Sequence, residues 1–570
     1  MSSLRIPVFL LLAIFSFYGC THLETRSNFM AGQAHLTLPS ESLTRAGIYY
    51  DYLAAQRYLK DKQVDEATQA YSDAVEKDPR SPVLLTELAS LYVRQGNIEL
   101  ALQLIEEATT YDLKYEPAYM LQGQLYAGIG NNAKAIAAYK RVIELNPSNE
   151  DAYLLLGALY AQEGRFSEAV ETFDHLRTLL PDNPAAIYYK ARVFLDMKFY
   201  KQAESVYKEI LSMDPAFESA LLDLAYIYEV TDRPGAAEKT YKKALAFDAT
   251  SVQARTRLGN LYMRQNKLDK ALEEFEQILS LNSKDLETRL KVGLIQLQQK
   301  RYDEAIRSFS YLLAEEPQYD QALYYLASTY QEKVDFVQAI QYFKTIPPDS
   351  PLWATAQIRI ALLYAKQNDY AKSIEIIQSA IEKQPDSSEL YLYLAVIYEE
   401  QNKYENAIKV LDKGLEKTGQ DVDLLFRKGV LLDKIGRKEE AVKVMQTILS
   451  IEPQNPNALN YVGYTYAEMG IRLLEAKQMI KTALELQPDD GYIMDSMAWV
   501  YHKLGQNKKA LEIILQAVKR VPTDPVIHEH LGDIYMSLGR KQKALQAYLK
   551  ALELGHTEPD KIKEKMKHIQ

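Results

Sequence analysis

Apolar side chains in residues 150–183 fall into two short runs of helical period, separated by a polar turn. Tyr153, Leu156, Gly157 and Tyr160 stand at i, i+3, i+4 and i+7, the spacing of one helical face. Gly164 tolerates left-handed backbone at the point where the first helix must stop. Ser167 is placed to cap a second helix, whose inner face carries Ala169, Phe173 and Leu176. Pro181 has no backbone N–H to donate and closes the unit. A helical hairpin of this size cannot bury both apolar faces alone, so it requires copies alongside.

Those copies are present. The pattern returns every 34 residues over residues 48–558, giving fifteen units, with one extra residue in the thirteenth between Ile471 and Glu475. The eighth position of the unit is Gly or Ala in all fifteen, from Ala55 to Gly532, which permits a close helix crossing. The eleventh is aromatic in thirteen units, Gln296 and Leu432 being the exceptions, and the twentieth is Ala in fourteen, with Ser373 the exception. Ten units carry proline at position 32; Leu113, Ala249, Ser283, Gly419 and His556 replace it in the others.

In these positions the chain resembles the tetratricopeptide repeat. The resemblance implies an all-α fold, a right-handed superhelical solenoid of about fifteen helix–turn–helix repeats whose first helices line a concave groove. Residues 559–570 then read as a capping helix. Ile562, Met566 and Ile569 would cover the last repeat, while Lys561, Lys563, Lys565 and Lys567 would stay in water.

Composition narrows the possible functions. Hydrophobic residues make up 47% and charged residues 25% of the 570, the balance of a folded protein. A net charge of −10 without a strongly basic block is a poor match for a nucleic-acid backbone. Among the eight histidines the closest string is His528-Glu529-His530, and side chains two apart on a helix diverge, so they do not share a metal. There is no phosphate-loop pattern and no Ser/His/Asp constellation, and repeats and cap occupy everything after residue 47. The expectation is a protein that is not an enzyme and has no catalytic residue, metal or cofactor.

The single cysteine, Cys20, follows a head with Arg5, a mostly apolar run from Ile6 to Tyr18, and Gly19. The run is too short to span a bilayer comfortably and reads as a secretory signal over residues 1–19. Gly19-Cys20 resembles the lipobox of bacterial lipoproteins, although Phe17 and Tyr18 replace its usual Leu and small residue. That resemblance implies lipidation (palmitate included) at Cys20, and Thr21 in place of Asp implies sorting to the outer membrane, facing the periplasm. Residues 20–47 then form a tether, with a helix beginning as early as Ser40.

The repeat register, read by family resemblance, assigns the groove. Position 5 in repeats eight to twelve is Leu290, Tyr324, Ile358, Leu392 and Phe426; position 9 includes Leu362 and Val396. Position 6 runs Arg257, Lys291, Tyr325, Arg359, Tyr393, Arg427. Such an alternation can hold an acidic or extended ligand by ionic and cation–π contacts, or it can tie neighbouring repeats to one another. The Lys/Asn/Arg set of chaperone-binding relatives is not supplied by any three successive units. Two functions follow as expectations. The first is a membrane-anchored scaffold that binds envelope proteins or peptides during assembly of a pilus, outer-membrane or polysaccharide-export complex. The second is a polysaccharide-binding component of a secretion system.

Overall fold

A computed structural model describes residues 40–181 and 183–569. The signal segment, Cys20 and the tether up to residue 39 lie outside them. Among the described residues there are thirty-one α-helices, numbered α1–α31 in chain order, and no strand. The helices come two to a repeat, with α31 (Pro559–Lys567) left over at the end. The first helix, α1, spans Ser40–Lys60, so residues 40–47 are helix and not tether. No helix among the described residues is long and apolar enough to cross a membrane.

The unit over residues 150–183 shows why each repeat folds as it does. Helix α7 spans Glu150–Gln162, and its N-cap Asn149 accepts a hydrogen bond from the Ala152 N–H at 2.9 Å. Gly164 takes the left-handed conformation, φ 74°, and turns the chain into α8, Phe166–Leu179. Ser167 does not cap that helix. It lies inside it, and Arg165 occupies the N-cap position without a side-chain bond. Side-chain caps recur before the first helices, where Ser81, Ser251, Asp285, Asp421, Asn455, Asp490 and Asp524 also accept N–H bonds, and before the second helices that begin after Asn97, Asn131, Asp335 and Asp369.

The small residue at position 8 is required by a side chain of its own repeat. A Cβ built on Gly123 would lie 2.5 Å from Tyr139 Cε1, and one on Gly157 2.5 Å from Phe173 Cζ. Residue 24 of each of these repeats therefore lies directly over residue 8. The position-20 alanines are fully buried, as at Ala67, Ala169, Ala305 and Ala407. Where the pattern breaks, the polar replacement is satisfied. Buried Ser373 donates to the Ala361 carbonyl at 2.8 Å, and buried Gln296 accepts from Ser308 Oγ at 2.8 Å. Many position-11 tyrosines carry a cation from the turn or the second helix, such as Arg165 over Tyr160 at 4.4 Å and Arg233 over Tyr228 at 4.6 Å.

Packing divides the chain into two compact units, Met1–Leu281 and Asn282–Gln570. In the first, α3 (Pro82–Arg94) touches α5 (Glu116–Gly128), and α7 touches α9 (Pro184–Asp196). In the second, α19 (Trp353–Lys366) touches α21 (Ser388–Glu400), which touches α23 (Val422–Lys434). Direct approach of this kind is a property of the first helices of successive repeats, so within each unit they line the inner side and the second helices the outer.

Two repeats depart from the frame. In the ninth, α18 (Phe336–Thr345) has ten residues where α16 (Tyr302–Glu315) and α20 (Tyr370–Lys383) have fourteen, because Pro347 and Pro348 follow. In the thirteenth, α25 (Pro456–Met469) is followed by Gly470, Ile471 and Arg472. Gly470 and Arg472 both have positive φ, 71° and 49°, and this turn absorbs the extra residue.

Candidate binding surface

The inner side of the second unit is built by α17 (Asp320–Glu332), α19, α21 and α23, held in place by a core in which Leu326, Ala361, Leu394 and Leu431 are buried. The residues assigned to the groove divide into three groups. Ile358 is 2% exposed and belongs to that core, so it packs and is not available to a ligand. Leu362, Leu392, Tyr393, Val396 and Phe426 are part-buried; all but Val396 back onto the core clusters and leave one side of the chain accessible. Arg359 is exposed, with Nε 3.4 Å from the Tyr324 hydroxyl.

The cation–tyrosine line at position 6 does not operate as one track. Tyr325 stacks on Phe309 of the preceding repeat, centroids 6.0 Å apart and rings at 24°, and meets Tyr324 edge-on at 5.6 Å. Lys291 pairs with Glu287 at 2.7 Å. Arg427 pairs with Glu399, which Lys434 also reaches at 3.2 Å. In the first unit, Arg257 donates to the Leu222 carbonyl at 3.2 Å and lies 3.7 Å from Asp223. Asp223 is itself buried, and accepts from the hydroxyls of Tyr188 at 2.9 Å and Tyr207 at 3.0 Å. Most of these charges therefore tie repeat to repeat. Arg359 is the exposed cation of the series.

The C-terminal end of the inner side is closed by its own residues. On α27 (Gly491–Lys503) and α29 (Pro525–Ser537), Asp495 and His530 are both buried, with His530 Nδ1 2.9 Å from each Asp495 oxygen. Trp499 stacks on the His530 ring at 4.1 Å. Burial alone would lower the His530 pKa, but Asp495, together with Glu529 and Asp533, outweighs it and holds the imidazole above its ordinary value. His556 accepts from the Glu558 N–H through Nδ1, which leaves Nε2–H to donate to Glu529 at 2.8 Å.

Helix α31 completes this closure. Ile562 is fully buried and Ile569 nearly so, as the cap pattern requires. Lys565, however, is not solvated. It bridges Glu529 and Asp533, each at 2.6 Å, and Lys561 lies 3.5 Å from Glu529. Burial pushes the Glu529 carboxyl up, but Lys565 and Lys561 overcome that and hold it below the usual glutamate value. His528 and His530 do diverge, since His528 Nε2 lies 3.0 Å from the Pro522 carbonyl. The histidine–carboxylate pairs join residues 35 and 27 positions apart, pairings that adjacency in the sequence does not reveal.

Comparison with known proteins finds partial resemblances. A tetratricopeptide-repeat-containing protein of Pseudomonas aeruginosa is 42% identical over 59 residues, covering 10% of this chain and 10% of that one. The chain thus spans about a tenth of the length of that curated relative. Among solved structures, the Naa15/Naa10 complex bound to HypK-THB matches with 14% identity and a TM-score of 0.36, over 92% of this chain and 96% of that one. A tetratricopeptide repeat protein from Parabacteroides merdae matches with 18% identity and a TM-score of 0.35, over 44% and 99%. Tetratricopeptide repeat models match residues 58–125, 120–184, 188–252, 256–318, 296–362, 358–422, 422–455 and 496–559. The matches cover well over half of the chain, in the register that its hydrophobic spacing defines; the chain belongs to the tetratricopeptide repeat family.

Proposed function

We propose that this protein is a lipid-anchored scaffold of the bacterial envelope that holds an extended protein segment against the inner side of repeats nine to twelve. The observation that carries the reading is the contrast along that side. Leu362, Leu392, Tyr393, Val396 and Phe426 keep accessible apolar surface beside exposed Arg359, whereas the acids further on are taken up by His530, His556 and Lys565. Apolar anchors beside a charge suit an amphipathic or extended segment. Gly19-Cys20 supports the anchor, and assembly of a pilus, outer-membrane or polysaccharide-export complex is the setting proposed for it.

The groove is tested with Arg359→Glu combined with Val396→Ser, the part-buried groove residue that does not back onto the core clusters. Capture of envelope partners by the full-length lipidated protein should fall, with the circular dichroism signal and melting temperature retained. Equal loss of stability and of capture would assign both residues to packing. Tyr325 is unsuited to this test, because it stacks on Phe309. The anchor is tested with Cys20→Ser, which should move the protein from the membrane to the soluble fraction; continued membrane association would reject lipidation as the anchor.

A further inference from the structure

The ninth repeat keeps its 34-residue length but loses the last turn of its second helix. Pro347 and Pro348 remove two N–H donors and disfavour helical backbone before them, so α18 stops at Thr345. The freed segment is not loose. Gln384 Nε2 donates to the Pro348 carbonyl at 3.0 Å, Leu352 N–H donates to Ser350 Oγ at 3.2 Å, and Ile346 is buried. What the missing turn leaves is a cleft of about 350 Å³ between the ends of α18 and α20 and the start of α19.

Its lining is distinctive. Pro347 and Pro348 provide accessible apolar surface above buried Ile346, Trp353 and Ala380, and Thr345, Gln357 and Ser379 provide hydrogen-bonding groups. Lys344 and Lys383 bring two cations to the same cleft, and no carboxylate lines it. Lys383 lies over the Trp353 ring at 5.6 Å. Among the described residues neither lysine forms an ion pair within 4.0 Å, although the chain as a whole has a net charge of −10. Two exposed cations without acids, beside two accessible prolines, form a site complementary to carboxylates flanking an apolar side chain.

We infer that this cleft is a second binding site, separate from the inner groove, for a short acidic segment of a protein partner. Its volume accommodates one or two side chains. The carboxylates meet Lys344 and Lys383, and the apolar side chain lies against the rings of Pro347 and Pro348, which cover Ile346 and Trp353.

The chain has two tryptophans, Trp353 and Trp499, so fluorotryptophan labelling of the full chain yields one fluorine resonance for each, assigned with Trp499→Phe. The probe is the peptide acetyl-Glu-Glu-Leu-Glu-Glu-amide, compared with its glutamine counterpart, polygalacturonate and inorganic phosphate. The acidic peptide should shift the Trp353 resonance saturably and leave that of Trp499 in place. K344Q with K383Q should weaken this binding about tenfold, from the loss of two exposed ion pairs, without changing the melting temperature. Four results would overturn the inference: no saturable shift, an equal response to the glutamine peptide, an equal response to polygalacturonate or phosphate, or unchanged affinity in the double variant.

Discussion

At position 15 of the repeat the backbone turns left-handed, and the residue found there decides what the turn costs. Gly96, Gly130, Gly164 and Gly436 adopt φ between 74° and 82° without a side chain to strain. Asn266, Asn368 and Asn402 adopt it as the residue type that best tolerates it after glycine. Val334 adopts φ 67° with a β-branched side chain that is 68% exposed and so has little packing to lose. Left-handed backbone costs an ordinary L-residue about 1–2 kcal/mol, and glycine returns part of that as unfolded-state entropy. Val334→Gly should therefore stabilise the second unit by about 0.5–1 kcal/mol in urea unfolding, and a loss of stability would contradict this account. The converse holds at position 8. Gly123→Ala drives a Cβ into the ring of buried Tyr139 and should cost about 1–3 kcal/mol in the same assay. A small residue was legible there from sequence. The reason for it, an aromatic ring sixteen residues later, was not, because helical spacing does not show which side chain crosses over which.

Among the elements, α31 is the one whose attachment depends most on charge. It follows the last repeat as a cap, but it is held through Lys565 and Lys561 to Glu529, beside the His530–Asp495 pair. The two titrations act in opposite directions. His530 has its pKa raised in the folded protein, so its contribution is complete below about 6.5 and is lost as pH rises through the raised value. Glu529 has its pKa lowered, so its contribution is present above about 4.5 and is lost as pH falls through the lowered value. Hydrogen exchange in α29 and α31 should accelerate, after correction for intrinsic rates, as the pH rises from about 6 through the raised His530 value, and His530→Gln should abolish that dependence. An identical pH response in the variant would remove His530 from the explanation. The sequence placed the cap correctly and left Lys561, Lys563 and Lys567 in water, where they are exposed; Lys565 departs from that reading and finds its acids 32 and 36 residues earlier, across a repeat boundary.

For the whole molecule, the repeat architecture makes stability a sum of local terms, each repeat resting on its neighbours. Residues Asn282–Gln570 contain several complete repeats, the largest core cluster described above and the terminal cap. Expressed alone, this segment should give a strongly helical circular dichroism spectrum and a cooperative melt. A spectrum without helix would mean that the segment cannot sustain its own core. Function follows the same logic. With repeats and cap filling the chain after residue 47, chemistry resides in surfaces, and those surfaces differ from repeat to repeat while the packing positions stay the same.

The sequence by itself determined the helices, their pairing, the number of repeats and the cap, because each depends on spacings within one 34-residue unit that recur fifteen times. It also determined that Gln296 and Ser373 break the pattern. Only the tertiary structure decided how those breaks are satisfied, and which groove positions face outward. Ile358 and Leu392 share a position in the repeat, yet one is buried and the other part-exposed. Arg427 and Arg359 share another, yet Glu399 engages the first while the second remains exposed. The physical reason is common to all of them. Packing within a repeat is set by its own period, whereas exposure and ion pairing are set by what the adjoining repeat presents. That is a relation between residues about one repeat apart, which no local periodicity encodes. For the same reason the 34-residue count hides the interruption at Pro347 and Pro348: the repeat keeps its length, and only the structure reveals the cleft beside Trp353.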